Sequence, residues 1–403
     1  VAVSPPGDFR VRSLTGAVYV PSLLFAIGQG AAIPMLPLLA LDLGLSVPLA
    51  GAIVAARAFG TLLFDVPAGV LVARLGEKPT MLIGTGLLVG AAIGVGAGPS
   101  TWMLAVLVVV MGAASSIWHL ARLTYAAEVT PPAHRGRVMS MLGGLGRIGS
   151  VLGPLAGGAA VEFLGLAAAF YLQAAFAVVA FLTLAVRTEA LDHAVAVPPR
   201  LTRHLLRHVA GEKRLMSTVA VVSVVIQVLR SAREAYIPLW GDAIALSAGQ
   251  IALVFAVMSA AEVVTFYPAG VLSDRLGRKW SAIPCMALLS VGIALVPLTQ
   301  SLVTLVGAAI VIGIGNGLGA GIQMTLGSDL APADARAPFL GMWRLGADAG
   351  GVAGPSIIAG AASAVGLAFA AFLLTGVGVA GIVVMAAFVP ETLQQRARGD
   401  QPG

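Results

Sequence analysis

The chain has 403 residues, of which 58% are hydrophobic and only 10% charged, with a net charge of +6. Soluble domains carry about 25% charged residues, so a water-soluble fold is excluded and an integral membrane protein is expected. The apolar runs are continuous and do not alternate in polarity, which excludes a membrane β-barrel, and the single cysteine, Cys285, excludes an intramolecular disulfide and a cysteine-based metal site.

One helix needs about 20 apolar residues to cross a bilayer core. On that measure the sequence predicts an all-α membrane protein of twelve spans, at roughly 14–41, 48–73, 79–98, 101–127, 137–161, 166–187, 216–241, 249–273, 279–298, 302–328, 337–361 and 365–389. Asp8, Arg10 and Arg12 precede a first span too long for a cleavable signal peptide. Of the 24 Lys and Arg residues, six lie inside spans and all others fall in the tails and in the loops on one side. By the positive-inside rule that side is cytoplasmic, so both termini are expected in the cytoplasm of a multi-pass protein of the cell inner membrane. The longest loop, 188–215, places Leu201, Leu205, Leu206 and Val209 at helical spacing among Arg203, His204, Arg207 and His208. That pattern predicts an amphipathic helix lying on the inner membrane surface. The expected organisation is an N-terminal six-helix bundle (1–187), this linker (188–215) and a C-terminal six-helix bundle (216–403).

The halves repeat. Pro67–Lys78 aligns with Pro268–Lys279 at an offset of 201 residues. The same offset pairs Pro37 with Pro238, Ser115 with Asn316, Glu128 with Asp329, and Gly149, Gly153 and Pro154 with Gly350, Gly354 and Pro355. The downstream copy runs Gly270, Leu272, Asp274, Arg275, Gly277, Arg278, Lys279. It resembles the loop between the second and third spans of the major facilitator superfamily, G-x-L-x-D-R-x-G-R-K. The upstream copy keeps Gly69, Leu71, Arg74, Gly76 and Lys78 but has Ala73 for the acid and Glu77 for a base. The resemblance covers about residues 14–390. It implies two pseudo-symmetric bundles that rock about a central cavity lined by spans 1, 4, 7 and 10, with spans 3, 6, 9 and 12 facing lipid. It also implies that Arg74, Lys78, Asp274, Arg275, Arg278 and Lys279 act as a conformational latch, and that Gly69 and Gly270 serve close helix packing. With Ala73 in place of the acid, Asp65 on span 2 is the candidate substitute, with Arg122 on span 4 beside it.

Charges inside spans are costly and mark function by default. Spans 3, 6, 9 and 12 carry none. Span 7 carries Gln227, Arg230, Arg233 and Glu234; span 8 carries Glu262; span 11 carries Arg344 and Asp348. In the N-terminal half the polar positions are Gln29, Arg57, Ser115, His119 and Arg147, and span 10 adds Asn316 and Gln323. Glu234, Glu262 and Asp348 are the proton-coupling candidates, because an acid in a low-dielectric cavity can bind and release a proton. The remaining polar residues are candidates for the substrate cavity, the arginines as anion sites or counter-ions. Structural ion pairing is the competing reading of each.

Span 5 reads Gly149-x3-Gly153-Pro154-x2-Gly157-Gly158. It resembles the antiporter motif of drug:proton exchangers in the same superfamily, with Ser140 where the first glycine of the pattern falls. Span 11 has a similar run in Gly341, Gly350, Gly354 and Pro355. An arginine expected on span 4 is Val108, which moves the expected coupling site to the C-terminal half. No Gly-x4-Gly-Lys-Ser/Thr phosphate loop, metal-ligand spacing or nucleophile–base pair is present, so no cofactor, metal, enzyme activity or nucleic-acid partner is expected. The resulting expectation is a monomeric secondary transporter that exports a small organic molecule against protons, with membrane lipids as its surroundings. The alternatives are uptake or exchange of an organic anion, favoured by six arginines against four acids within the spans, and a non-transporting receptor or lipid-moving protein on the same fold.

Overall fold

The computed structural model describes residues 14–188, 213–331 and 336–389. The predicted linker helix lies outside the described residues. The described chain is helical throughout. In order the helices are α1 (Thr15–Asp42), α2 (Val47–Leu75), α3 (Glu77–Gly96), α4 (Thr101–Glu128), α5 (Arg135–Leu164), α6 (Ala167–Arg187), α7 (Lys213–Ala243), α8 (Ala248–Leu276), α9 (Lys279–Leu295), α10 (Leu302–Leu330), α11 (Arg336–Ala364) and α12 (Leu367–Phe388). Ten of these are long and apolar enough to cross a membrane by length and composition alone. The two others are α7 and α11, which carry Arg230, Arg233 and Glu234, and Arg344 and Asp348.

Of the described residues, 14–45, 56–188 and 248–256 form one compact unit, and 46–55, 213–247 and 257–389 form the other. The first turns of α2 and of α8 are thus each counted with the opposite half. Inside the first unit α1 packs on α5 and α6, and α3 on α4 and α6. Inside the second α7 packs on α11 and α12, and α9 on α10 and α12. Each pair in one list is the other shifted by six helices, so the sequence repeat is also a packing repeat.

Helix contacts are tightest where a side chain is absent. A Cβ on Gly153 of α5 would lie 2.6 Å from Gly30 Cα and from the Ile27 carbonyl oxygen. The repeat-related Gly354 of α11 would place one 2.5 Å from the Val228 carbonyl oxygen, and also against Ser231. Those neighbours sit 201 residues from Ile27 and Gly30. Backbones approach this closely only where small residues line both helices. The loop-motif glycines behave differently. A Cβ on Gly270 would meet open space, and one on Gly69 only Leu120 at an ordinary 3.7 Å. The motif's second glycine is the constrained one: Gly76 has φ +82° and Gly277 φ +108°, values that disfavour a side chain.

The helix limits correct two readings of charge. The third helix begins at Glu77, which is 2% exposed, and includes Lys78; the sixth ends at Arg187 and the ninth begins at Lys279, so none of these three helices is free of charge. The fifth extends to Leu164 and takes in Glu162, an acid beyond the four counted within the predicted spans.

Candidate functional site

The polar residues of the second unit converge on a break in α10. That helix runs regularly over Leu302–Leu318, turns at Gly319–Gly321, where Gly321 has φ +82°, and resumes over Ile322–Leu330. The sequence around the break is Gly315-Asn316-Gly317-Leu318-Gly319-Ala320-Gly321. A glycine-rich run in a span frees backbone carbonyls that must find donors, since lipid supplies none. Arg230 of α7 is one such donor. Its Nη2 donates to the Gly319 carbonyl at 2.7 Å and the Asn316 carbonyl at 3.4 Å, and its Nη1 to Gln323 Oε1 at 3.3 Å. Gln323 Nε2 in turn donates to the Ser223 carbonyl at 2.9 Å and to Gln227 Oε1 at 3.4 Å. The guanidinium also lies against buried Cys285 of α9. Gly319 leaves room for both, since a Cβ there would meet Cys285 Sγ and Arg230 Nη2.

Glu262 of α8 sits one layer away. Its Oε2 accepts from Asn316 Nδ2 at 2.5 Å and pairs with Arg233 Nη1 at 3.5 Å. The two charged side chains are only 16% and 17% exposed. One carboxylate therefore joins α7, α8 and α10. The approach of α8 to α10 is set by Gly317, whose Cβ would meet Thr265 and the Glu262 carbonyl. Asp348 is built differently. It accepts from Arg344 Nε at 3.3 Å, four residues away on the same helix, and the pair is 37% (Arg344) and 21% (Asp348) exposed. Glu234 is half-buried on α7, a residue away from Arg233.

In the first unit the same positions hold neutral groups. Gln29, the repeat mate of Arg230, donates from Nε2 to Ser115 Oγ at 2.6 Å, and Ser115 is the mate of Asn316. Position 61, mate of Glu262, is a threonine whose hydroxyl donates to the Gly112 carbonyl at 3.2 Å. The span-4 helix is continuous here because Trp118 and Leu120 replace Gly319 and Gly321; Trp118 is fully buried and stacks on Phe25 at 5.0 Å, with His119 edge-on to the same ring at 5.7 Å. Asp65 accepts from Ser116 Oγ at 2.6 Å. Arg57, Arg122 and Arg147 are half-buried on α2, α4 and α5.

The loop-motif residues divide by role. Lys78 Nζ donates to the Ala185 carbonyl at 3.1 Å and Lys279 Nζ to the Ala386 carbonyl at 2.9 Å. Each lysine thus caps the C-terminal end of the last helix of its own half, where a cation is favoured. Arg278 Nε pairs with Asp329 Oδ2 at 3.1 Å, with side-chain exposures of 9% and 5%, while its Nη1 donates to the Ser273 carbonyl. Arg74 and Arg275 are exposed. Sequence reasoning passed over Ser116, Asp329 and the α10 break as partners. The signals were present: glycines at 319 and 321 stand where the other half has Trp118 and Leu120.

A family model of the Major Facilitator Superfamily matches residues 19–240 and again 219–401. The chain belongs to the major facilitator superfamily. That family is one of multi-pass membrane transporters. Among curated relatives, an MFS-type transporter of Mycobacterium tuberculosis is 29% identical over 178 residues, 44% of this chain but 25% of that protein, so the match spans about a quarter of the relative's length. The multidrug resistance protein MdtH of Salmonella paratyphi C is 24% identical over 348 residues, covering 83% of both chains. Among solved structures, a POT family transporter in complex with 5-aminolevulinic acid aligns over 94% of this chain and 96% of that one, with a TM-score of 0.78 at 12% identity. A D-xylose–proton symporter aligns over 95% and 98%, at 0.72 and 16%. At these identities the structural likeness speaks for the fold of this superfamily member alone.

Proposed function

We propose that this transporter exports a small organic molecule in exchange for protons, with Glu262 as the coupling carboxylate. The observation that carries this reading is the placement of Glu262 between Arg233 and Asn316, on three separate helices beside the α10 break. While Arg233 is at hand the carboxylate has a counter-charge. A movement of α7 against α8 that parts them leaves a desolvated charge, which a proton neutralises at least cost. The Arg344–Asp348 pair lies within one helix, so no helix movement parts it; that is why Glu262 is preferred. Export is supported by the span 5 glycine pattern and by the drug-resistance name of the Salmonella relative. The Lys and Arg distribution supports cytoplasmic termini, with the linker 188–215 on the same side.

The test uses proteoliposomes holding a pH dye, under an imposed proton gradient, with a panel of lipophilic cations and organic anions. Substrate-dependent proton flux is expected in the native protein and in Asp348→Asn, and is expected to vanish in Glu262→Gln while substrate counterflow persists. Proton flux surviving in Glu262→Gln overturns the assignment, and transport indifferent to the gradient overturns proton coupling. A second reading, transport of an organic anion, is favoured by the Arg344 side chain, which at 37% exposure keeps donors accessible beyond Asp348. The same panel separates the two substrate classes.

A further inference from the structure

Glu162 takes no part in the site above, and its surroundings within the first unit have a different character. It lies near the end of α5 opposite the basic loops. There α5 and the first turns of α8 enclose a groove of about 300 Å³, at the small end of ligand-binding clefts. Its walls are apolar: Leu155, Ala159 and Phe163 on one side, Ala252 and Leu253 on the other. The carboxylate does not point away into water. A Cβ added to Gly249 of α8 would come 2.5 Å from Glu162 Oε2, so the acid reaches across the groove to the bare backbone of the facing helix. Gly158 lets α8 come close below it, since a Cβ there would lie 2.6 Å from Ala252 Cβ.

The charge around this acid is one-sided. The connections at that side of the membrane, 43–46, 97–100, 165–166, 244–247, 299–301 and 365–366, contain no Lys or Arg. The charged residues nearest them are Asp42, Glu162 and Asp242, all exposed. Among the described residues no hydrogen bond or ion pair to Glu162 forms. An apolar slot with a carboxylate at its mouth, on a face without a base, complements a cation that carries an aliphatic chain. The exposed ring of Phe163 adds a surface on which an ammonium group can rest.

We propose that this groove binds single-chain amphipathic cations, the ammonium head on Glu162 and the chain against Leu155, Ala159 and Leu253. The site is independent of Glu262. The test is photolabelling of the full-length protein in phosphatidylcholine nanodiscs, with a diazirine-bearing alkyl trimethylammonium and, in parallel, the same chain ending in a hydroxyl. Labelling by the cationic probe is expected on peptides spanning Pro154–Phe163 and Gly249–Leu253. Glu162→Gln is expected to lower it about fivefold, the upper range for an exposed ion pair. Ala159→Trp, which fills the groove while keeping the acid, is expected to lower it as well, and Glu262→Gln to leave it unchanged. Equal labelling by the hydroxyl probe, or full labelling in Glu162→Gln, overturns the proposal and leaves a slot for lipid chains. Labelling that disappears when phosphatidylethanolamine replaces phosphatidylcholine assigns the groove to lipid and overturns it too. Melting profiles matching the native protein establish that the variants are folded.

Discussion

The two halves share one frame and differ in what they place on it. Glycines 201 residues apart seat α5 on α1 and α11 on α7 against matching backbone atoms. Lysines at the same offset cap α6 and α12 at matching carbonyls. On that common frame the first half sets neutral hydrogen bonds, Gln29 to Ser115 and Thr61 to Gly112, around an unbroken α4. The second sets Arg230, Arg233 and Glu262 around a broken α10. Packing was retained in both copies, while Arg230, Arg233 and Glu262 have the neutral mates Gln29, Ala32 and Thr61. A helix that loses two bulky residues to glycine exposes carbonyls, and an arginine at the position of Gln29 is long enough to reach them. The break and the charge therefore belong together.

The largest expected asymmetry lies at the loop motif. Arg278 and Asp329 form a buried pair, while their mates Glu77 and Glu128 are both acids, the first buried and the second exposed. Asp329→Ala leaves the Arg278 guanidinium buried with Ser273 among its remaining acceptors. It is expected to cost about 3 kcal/mol, the lower end for breaking a buried pair. Glu128→Ala is expected to cost less than about 0.5 kcal/mol, as for other exposed positions. Thermal unfolding in one detergent measures both, and equal losses would break the comparison.

Where the halves agree, variants should agree. Gly153→Ala and Gly354→Ala each drive a methyl group into backbone of the neighbouring helix. Each is expected to destabilise by about 2 kcal/mol, within the range for overpacking a tight contact. A large loss in only one would mean that the glycine pattern of span 5 has a role that its span 11 copy lacks.

Much of this frame was legible in the sequence because a repeat carries its own check. The offset found in Pro67–Lys78 and Pro268–Lys279 recurs in the lysine caps, in the positive-φ glycines at 76 and 277, and in the glycine contacts. The partners of the charges were less legible. Arg230, Arg233 and Glu234 are close in sequence, yet only Arg233 meets Glu262, because Arg230 is drawn to the carbonyls of the α10 break. That choice depends on a backbone interruption, and hydropathy does not register one inside an apolar run. Glu77 read as a loop residue because it follows the turn glycine, and Glu162 because it falls beyond the predicted limit of its span. Each lies within a turn of a helix end, where spans read from composition are least defined.

The smallest asymmetry sits in a turn. Gly44, after α1, has φ +81°, and the residue 201 positions later, after α7, is Ala245 with φ +59°. A glycine occupies this left-handed region freely, whereas a Cβ there costs about 1–2 kcal/mol. Replacing Ala245 by Gly relieves that strain but adds back unfolded-chain entropy worth roughly 0.5–1 kcal/mol. Ala245→Gly is therefore expected to stabilise the protein by about 0.5 kcal/mol, and Gly44→Ala to destabilise it by a similar amount. Paired melting curves read both signs. If Ala245→Gly is instead destabilising, then the alanine methyl makes a packing contact worth more than the strain it causes, and the second half holds this turn by side-chain contact where the first relies on glycine.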